Sequence, residues 1–268
     1  MNNYIKMWDD FSSKKSESYL DHKFNPRHKV GLSNYLREFF TSKMLDPHQN
    51  DIILDAGCAS GHHLFSLSNK IKEGYGTDIA DSFIKQANVE KERIGAKNLF
   101  FQKAEIEHMP FPNEFFDKII CAEVLEHVPD KNLALRELLK ILKKEGIIVV
   151  TTPNLNSDGT IWGRFLRLIG FRKFSPIRYF TKEELEKHGD CHVREFDRIK
   201  LCSWLRENGL LILDARSTSF IDGPFLKVFF NPFLRFRLPR KFIIKIEKFL
   251  TNQKFFFGKN LIIKAIKK

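Results

Sequence analysis

Short apolar runs and amphipathic stretches of helical period alternate along most of the chain. "DIILDA" (51–56) predicts a buried strand, and "GHHLFSLSNKI" (61–71) a helix that begins behind a glycine turn. The order repeats with strand "GYGTDI" (74–79), helix "ADSFIKQANVEKERIG" (80–95) ending at glycine, and strand "NLFFQKA" (98–104). Strand "FDKIICAEV" (116–124), helix "DKNLALRELLKILKKEG" (130–146) and strand "GIIVVTTP" (146–153) follow. Further on come helix 196–209, strand 210–217 and strand 260–268, while the first fifty residues read as helical and polar. Within them, "HKVGLSNYLREFFTSKM" is amphipathic and ends before Pro47. Strand and helix in such regular order predict a parallel sheet covered on both faces. Two segments, about 154–195 and 221–258, are too long for ordinary connections; excursions of that length in compact domains usually serve function or stay disordered.

Composition narrows the class only slightly. A chain of 268 residues, 43% hydrophobic and 29% charged, has the make-up of a globular protein able to bury a full core. No apolar run approaches the ~20 residues needed to span a bilayer. The opening "MNNYIKMWDDFSSKK" lacks the basic-then-apolar pattern of a secretory signal. Cys58, Cys121, Cys191 and Cys202 show no paired spacing, so a reduced, cytosolic compartment is expected. The net charge of +12 is more telling once located: residues 221–268 carry twelve basic and two acidic side chains, and ten of the 27 phenylalanines. The excess charge belongs to one basic, aromatic region.

The glycine turn carries the first chemical signal. A dinucleotide-binding turn reads G-x-G-x-x-G, and a phosphate loop ends in Gly-Lys-Ser/Thr. Here the pattern is Asp55-x-Gly57-x-x-x-Gly61, followed by His62 and His63, and fits neither. A carboxylate before the turn repels pyrophosphate and attracts an ammonium group. The next strand ends in Asp78, which can accept both hydroxyls of a ribose. The third leads to Glu105, which can accept an exocyclic amine, with Ile106 offering apolar contact and a backbone amide. Three carboxylates on successive strand ends, without a phosphate cradle, suit a ligand with an ammonium, a ribose and an adenine, such as S-adenosylmethionine.

"ILDAGCASG", "YGTDIADSFIKQA", "AEIEHMPFPNEFFDKIICAEVLEHVPD" and "ILKKEGIIVVTTPN" together resemble the successive motifs of class I S-adenosylmethionine-dependent methyltransferases. The resemblance is to the broad branch holding quinone, sugar and small-molecule O-methyltransferases. It covers about residues 48–154, with "REFD…LRENGLLI" as a weaker extension. It implies an α/β, Rossmann-like, seven-stranded and mostly parallel sheet with its last strand antiparallel, helices on both faces and helical lid insertions. With the excursions noted above, the chain reads as one methyltransferase domain, 1–268: a helical cap at 1–47, a donor-binding core at 48–154, and acceptor-side or lid insertions at 155–195 and 221–258. Carried over residue by residue, Asp55, Gly57, Ala59 and Gly61 fall to the methionine side, and Asp78 with Ile79 to the ribose. Glu105 and Ile106 fall to the adenine, and Ala122 and Glu123 lie alongside the donor. Ala59 stands where the family has glycine; its methyl is tolerable if the backbone dihedrals there are ordinary.

Methyl transfer from an activated sulfonium needs little beyond positioning, though a hydroxyl acceptor gains from a base. His127, after the fourth strand, and His192, in the first excursion, are the candidate catalytic residues, each with packing or surface placement as the alternative. His188, Cys191 and His192 lack a fourth ligand, so no metal is expected. Cys58 and Cys121 read as small buried residues.

Residues 239–257 place Phe242, Ile243, Ile246, Phe249 and Leu250 on one helical face, with Arg240, Lys241, Lys245 and Lys248 mainly on the other. Residues 159–174 repeat the pattern. Such segments cap a core, lie in a membrane interface, or bind nucleic acid, the last disfavoured because the phenylalanines keep helical spacing instead of interleaving on a platform. The functional expectation is O-methylation of an apolar or lipid-linked small molecule, such as a quinone precursor or lipid-carried sugar, in the cytoplasm or peripherally at the inner membrane surface. The alternatives are an RNA methyltransferase using the basic region, and a non-catalytic membrane-associated protein that keeps the fold.

Overall fold

The computed structural model describes residues 29–155, 196–220, 240–253 and 258–268. Helix α1 (Lys29–Leu45) leads into β1 (Ile52–Ala56), α2 (His62–Leu67), β2 (Glu73–Asp78), α3 (Asp81–Ile94) and β3 (Leu99–Lys103). The chain continues through β4 (Phe116–Ala122), α4 (Lys131–Ile141), β5 (Leu142–Pro153), α5 (Arg198–Glu207), β6 (Leu210–Thr218), α6 (Arg240–Asn252) and β7 (Asn260–Lys267). The strands form one seven-stranded sheet in the order β3-β2-β1-β4-β5-β7-β6. Pairings from β3 to β5 are parallel, and β7 runs antiparallel to both β5 and β6. This is the Rossmann-like sheet with an antiparallel last strand that the motifs implied.

Period-two patterning explains why both faces fill. Ile53, Ile120, Val149 and Ile262 join Leu36, Phe40, Leu64 and Leu67 in the cluster under α1 and α2. Their strand neighbours Leu54, Ile119, Val150 and Ile263 turn the other way, onto Leu135, Leu138, Leu201 and Leu205 of α4 and α5. Because β2 and β3 lie on one side of β1 while β4 lies on the other, the strand order reverses at the β1/β4 boundary. Open α/β sheets bind ligands in the crevice beyond the strand ends at such a switch point.

Most expected elements appear within a residue or two, with two exceptions. The helix expected at 61–71 ends at Leu67. The helix expected at 130–146 ends at Ile141, and the next strand starts four residues early. Leu142 has left helical geometry (φ −79, ψ 131) and pairs with Phe116, and the register then slips before Lys118 pairs with Ile147. Apolar spacing that read as one long helix is shared between a helix face and a strand. The start of α4 follows its signal: Asp130 accepts hydrogen bonds from the Asn132 and Leu133 amides at 2.9 and 3.0 Å. Of the amphipathic segments, 159–174 lies outside the described residues, whereas α6 packs against β6 and α1 at the antiparallel end of the sheet.

Candidate functional site

The site begins where β1 ends. Asp55 is 1% exposed, yet neither of its carboxylate oxygens has a hydrogen-bond partner among the described residues. Burial, then the charges of Asp78 and Glu38, push its carboxyl up to about 8. The turn after it is anchored by Gly57 and Cys58, whose amides donate to the Thr77 carbonyl at 2.8 and 2.9 Å. Gly57 has φ 76, and a Cβ there would collide with the Val124 side chain, so the backbone of the turn sits directly against the loop after β4.

Ala59 corrects an expectation. Its φ is 46, in the left-handed region, so the backbone there is not ordinary. What holds it is Asp78: one carboxylate oxygen accepts the Ala59 amide and the other the Ala80 amide, each at 2.9 Å. Ala59→Gly is therefore expected to stabilise the protein by roughly 0.5–1 kcal/mol, a rise of a few degrees in melting midpoint. A lower midpoint in calorimetry would show that the alanine is not strained.

Along the second and third strand ends, Ile79 and Glu105 are half-buried and Ile106 is buried. The Glu105 carboxylate lies 3.9 Å from His108 Nδ1 at the rim. At the end of β4, Ala122 is half-buried and Glu123 adopts φ 58, a conformation costly for a glutamate. Glu123 is clamped there by Arg37 at 3.2 Å and by the Thr151 hydroxyl, which donates to it at 3.2 Å. The expected residues Asp55, Gly57, Ala59, Gly61, Asp78, Ile79, Glu105, Ile106, Ala122 and Glu123 thus all lie at the carboxyl ends of β1 to β4 or in the turns that follow them. His127 is half-buried in the turn after β4, its amide donating to the Val124 carbonyl at 2.8 Å. His192 lies outside the described residues.

Three residues of the site were not foreseen. Arg37 and Glu38 come from α1, where they sit between the buried Leu36 and Phe40; an Arg-Glu pair inside the apolar run "LREFF" was the signal that could have found them. Burial raises the Glu38 carboxyl to about 7 against the pull of Ser66 and Arg37. It also borders an opening of about 500 Å³ between α1 and α2, shared with Tyr35, Phe39, Ser42 and Ser66. Glu126 is 5% exposed, its carboxyl held well above the usual range first by burial and then by Glu123. Burial, then Asp55 and Asp78, push the Cys58 thiol up, and burial, then Glu126 and Asp55, push up that of Cys121, which leaves both poor nucleophiles.

The residues present fit S-adenosylmethionine: a buried carboxylate, without a hydrogen-bond partner among the described residues, stands beside a glycine turn packed tightly against the loop after β4. The comparisons with known proteins agree. A family model described as a methyltransferase domain matches residues 47–188. An uncharacterized methyltransferase of Bacillus subtilis is 30% identical over 135 residues, half of each chain. A ubiquinone biosynthesis O-methyltransferase of Vibrio vulnificus is 27% identical over 199 residues, 74% of this chain and 79% of that protein. Among solved structures, a chain from the complex between the Haloferax volcanii Trm112 methyltransferase activator and a methyltransferase candidate superposes with a TM-score of 0.63. It is 14% identical, over 96% of this chain and 97% of that one, a likeness of fold alone.

Proposed function

We propose, from the premise that the chain belongs to the class I S-adenosylmethionine-dependent methyltransferase family, that it methylates a hydroxyl oxygen of an apolar or lipid-linked acceptor. The observation that carries the donor half is the buried Asp55 carboxylate, without a hydrogen-bond partner among the described residues, which takes the donor's ammonium. Gly57, Ala59 and Gly61 bring backbone against the methionine portion, with Ala122 and Glu123 along its other side. Asp78, already fixed by two amides, presents its carboxylate to the ribose beside Ile79, and Glu105 with Ile106 receives the adenine. Bound there, the donor supplies an activated sulfonium methyl. The protein's part is to orient the acceptor, exclude water and accept its proton. His127, at the crevice end of β4, accepts that proton, and His192 is the second candidate base. Arg37, clamped on Glu123, holds α1 over the methionine side.

The acceptor half is supported by the likeness to a ubiquinone biosynthesis O-methyltransferase and by the aromatic, basic character of residues 221–268. Incubation with methyl-labelled donor and fractionated cell extract tests it: label is expected in the lipid-extractable pool, bound through an ether. His127→Asn should lower kcat by about a hundredfold with little change in donor affinity. Label entering RNA would assign the chain to nucleic-acid methylation. Donor binding without transfer to any fraction would make it a non-catalytic member of the family.

A further inference from the structure

We propose that α6 docks on an anionic lipid surface through the face that carries Lys241, Phe242, Lys245 and Phe249. The helix is mounted opposite to what the core rule demands. Its innermost residues are polar: Glu247 and Thr251 are both 0% exposed, and Glu247 accepts the Phe220 amide at 3.1 Å. Its two phenylalanines point outward, Phe242 48% and Phe249 60% exposed. Lys241 and Lys245 are exposed between them, and Ile246 is half-buried at the margin. This differs from the expectation that Phe242 and Phe249 lie on the face opposite the lysines: the two rings stand at the edge of the apolar arc, beside Lys241 and Lys245, and the helix, anchored inward by Glu247, turns that edge outward.

Charge complementarity selects the occupant. The single acidic residue of α6 is the buried Glu247, so the outward face is purely cationic among its charged groups. On its flank, Lys248 stacks over Phe39 of α1, 3.6 Å from the ring centroid, and lies 5.8 Å from that of Tyr35. Cation and aromatic side chains therefore continue from α6 onto α1. Lysines framing inserted rings are the pattern of a helix lying at the headgroup boundary, where each lysine near anionic lipid adds favourable attraction. Protein interfaces, in contrast, are depleted in lysine. The two rings are two helical turns apart, roughly 10 Å, too far to stack adjacent bases. No described helix is long and apolar enough to cross a membrane, so contact through this face would be peripheral. The inference stands on α6 and does not depend on the acceptor named above.

The test is flotation of the full chain with vesicles of phosphatidylcholine alone and of an equal mixture with phosphatidylglycerol. Binding is expected to the mixed vesicles only. Lys241→Gln with Lys245→Gln should weaken it about thirtyfold, and Phe242→Ser with Phe249→Ser at least about tenfold. The indole of a Phe249→Trp variant should shift to the blue on mixed vesicles. All these positions are exposed, so melting midpoints and donor affinity by calorimetry should stay at wild-type values; this separates failure here from failure of the proposed activity. Equal binding of both vesicle types, or double variants that float like the wild type, would overturn the proposal. So would RNA retention that the double variants lose while their flotation is unchanged.

Discussion

Asp55→Asn is expected to weaken donor binding by at least about a hundredfold, because it leaves a buried ammonium without its counter-charge. The same change should stabilise the free protein. The Asp55 carboxyl is raised to about 8 by burial and by the charges of Asp78 and Glu38, whereas in the unfolded chain it ionises near 4. The folded state therefore holds a proton that the unfolded state has lost. Stability is fully present below about pH 4 and falls as pH rises toward 8. Asparagine removes that slope, on the order of a few kcal/mol between pH 5 and 8. Binding has the opposite sign. Below pH 8 the free site must release a proton before it can pair with the ammonium, so affinity for S-adenosylhomocysteine should tighten nearly tenfold from pH 6 to 7, more slowly from 7 to 8, and then level off. Calorimetry in buffers of different ionisation enthalpy should count close to one proton released at pH 7, with Glu38, raised to about 7, adding curvature. A flat pH profile in the wild type, or an Asp55→Asn variant that melts lower at pH 8, would remove Asp55 from the donor site.

Gly57→Ala should rank next in effect. The residue has φ 76, and its new Cβ would strike Val124. Val124 lies between Glu123 and the Glu126–His127 turn, so yielding there disturbs the far wall of the crevice as well as the turn itself. A loss of about 2–4 kcal/mol in stability and a comparable loss in donor affinity are expected. Two controls separate the causes. Gly95, the C-cap of α3, has φ 68 but no atom within 4 Å of its Cβ position, so Gly95→Ala registers dihedral strain alone, about 1 kcal/mol. Adding Val124→Ala to Gly57→Ala restores space without changing φ, and the double-mutant cycle isolates the collision. If Gly57→Ala melted no lower than Gly95→Ala, the close packing of turn against loop would be refuted.

The strands and the carboxylates at their ends were legible because both write themselves locally. Only β1 (IILDA) is an unbroken aliphatic run; β2 (EGYGTD) and β3 (LFFQK) stand out as short extended stretches between helical ones, and each of the three carboxylates stands at or just after the end of its strand. Asp55, Asp78 and Glu105 could be found by position along the chain. Arg37 and Glu38 showed only as charges inside the apolar run LREFF and Glu126 not at all, since their roles depend on which remote segments fold over them: α1 over β4 for the pair, and the β4–α4 turn folding inward for Glu126. The α4/β5 boundary was misplaced because Leu138, Ile141 and Leu142 satisfy helical spacing whether or not the helix continues; the pairing of Leu142 with Phe116 ends it. The face of α6 was misjudged for a related reason. Periodicity identifies an apolar side, but here a single buried carboxylate, Glu247, decided which side turned inward. The φ of Ala59 left no trace in the sequence beyond an alanine in a glycine's place.

The position of β7 bears on how the molecule is made. It follows β6 in the chain yet lies between β5 and β6 in the sheet. During translation, β5 emerges long before its partner, and β6 has no neighbour to join until Lys267 has been synthesised, a wait on the order of ten seconds. For that time the nascent chain carries an open β5 edge lined by Ile148 and Val150, a template for pairing with other chains. A transcript cut short before Asn260 should therefore yield insoluble product in place of a smaller working enzyme, and synthesis should be sensitive to chaperones that shield nascent strands.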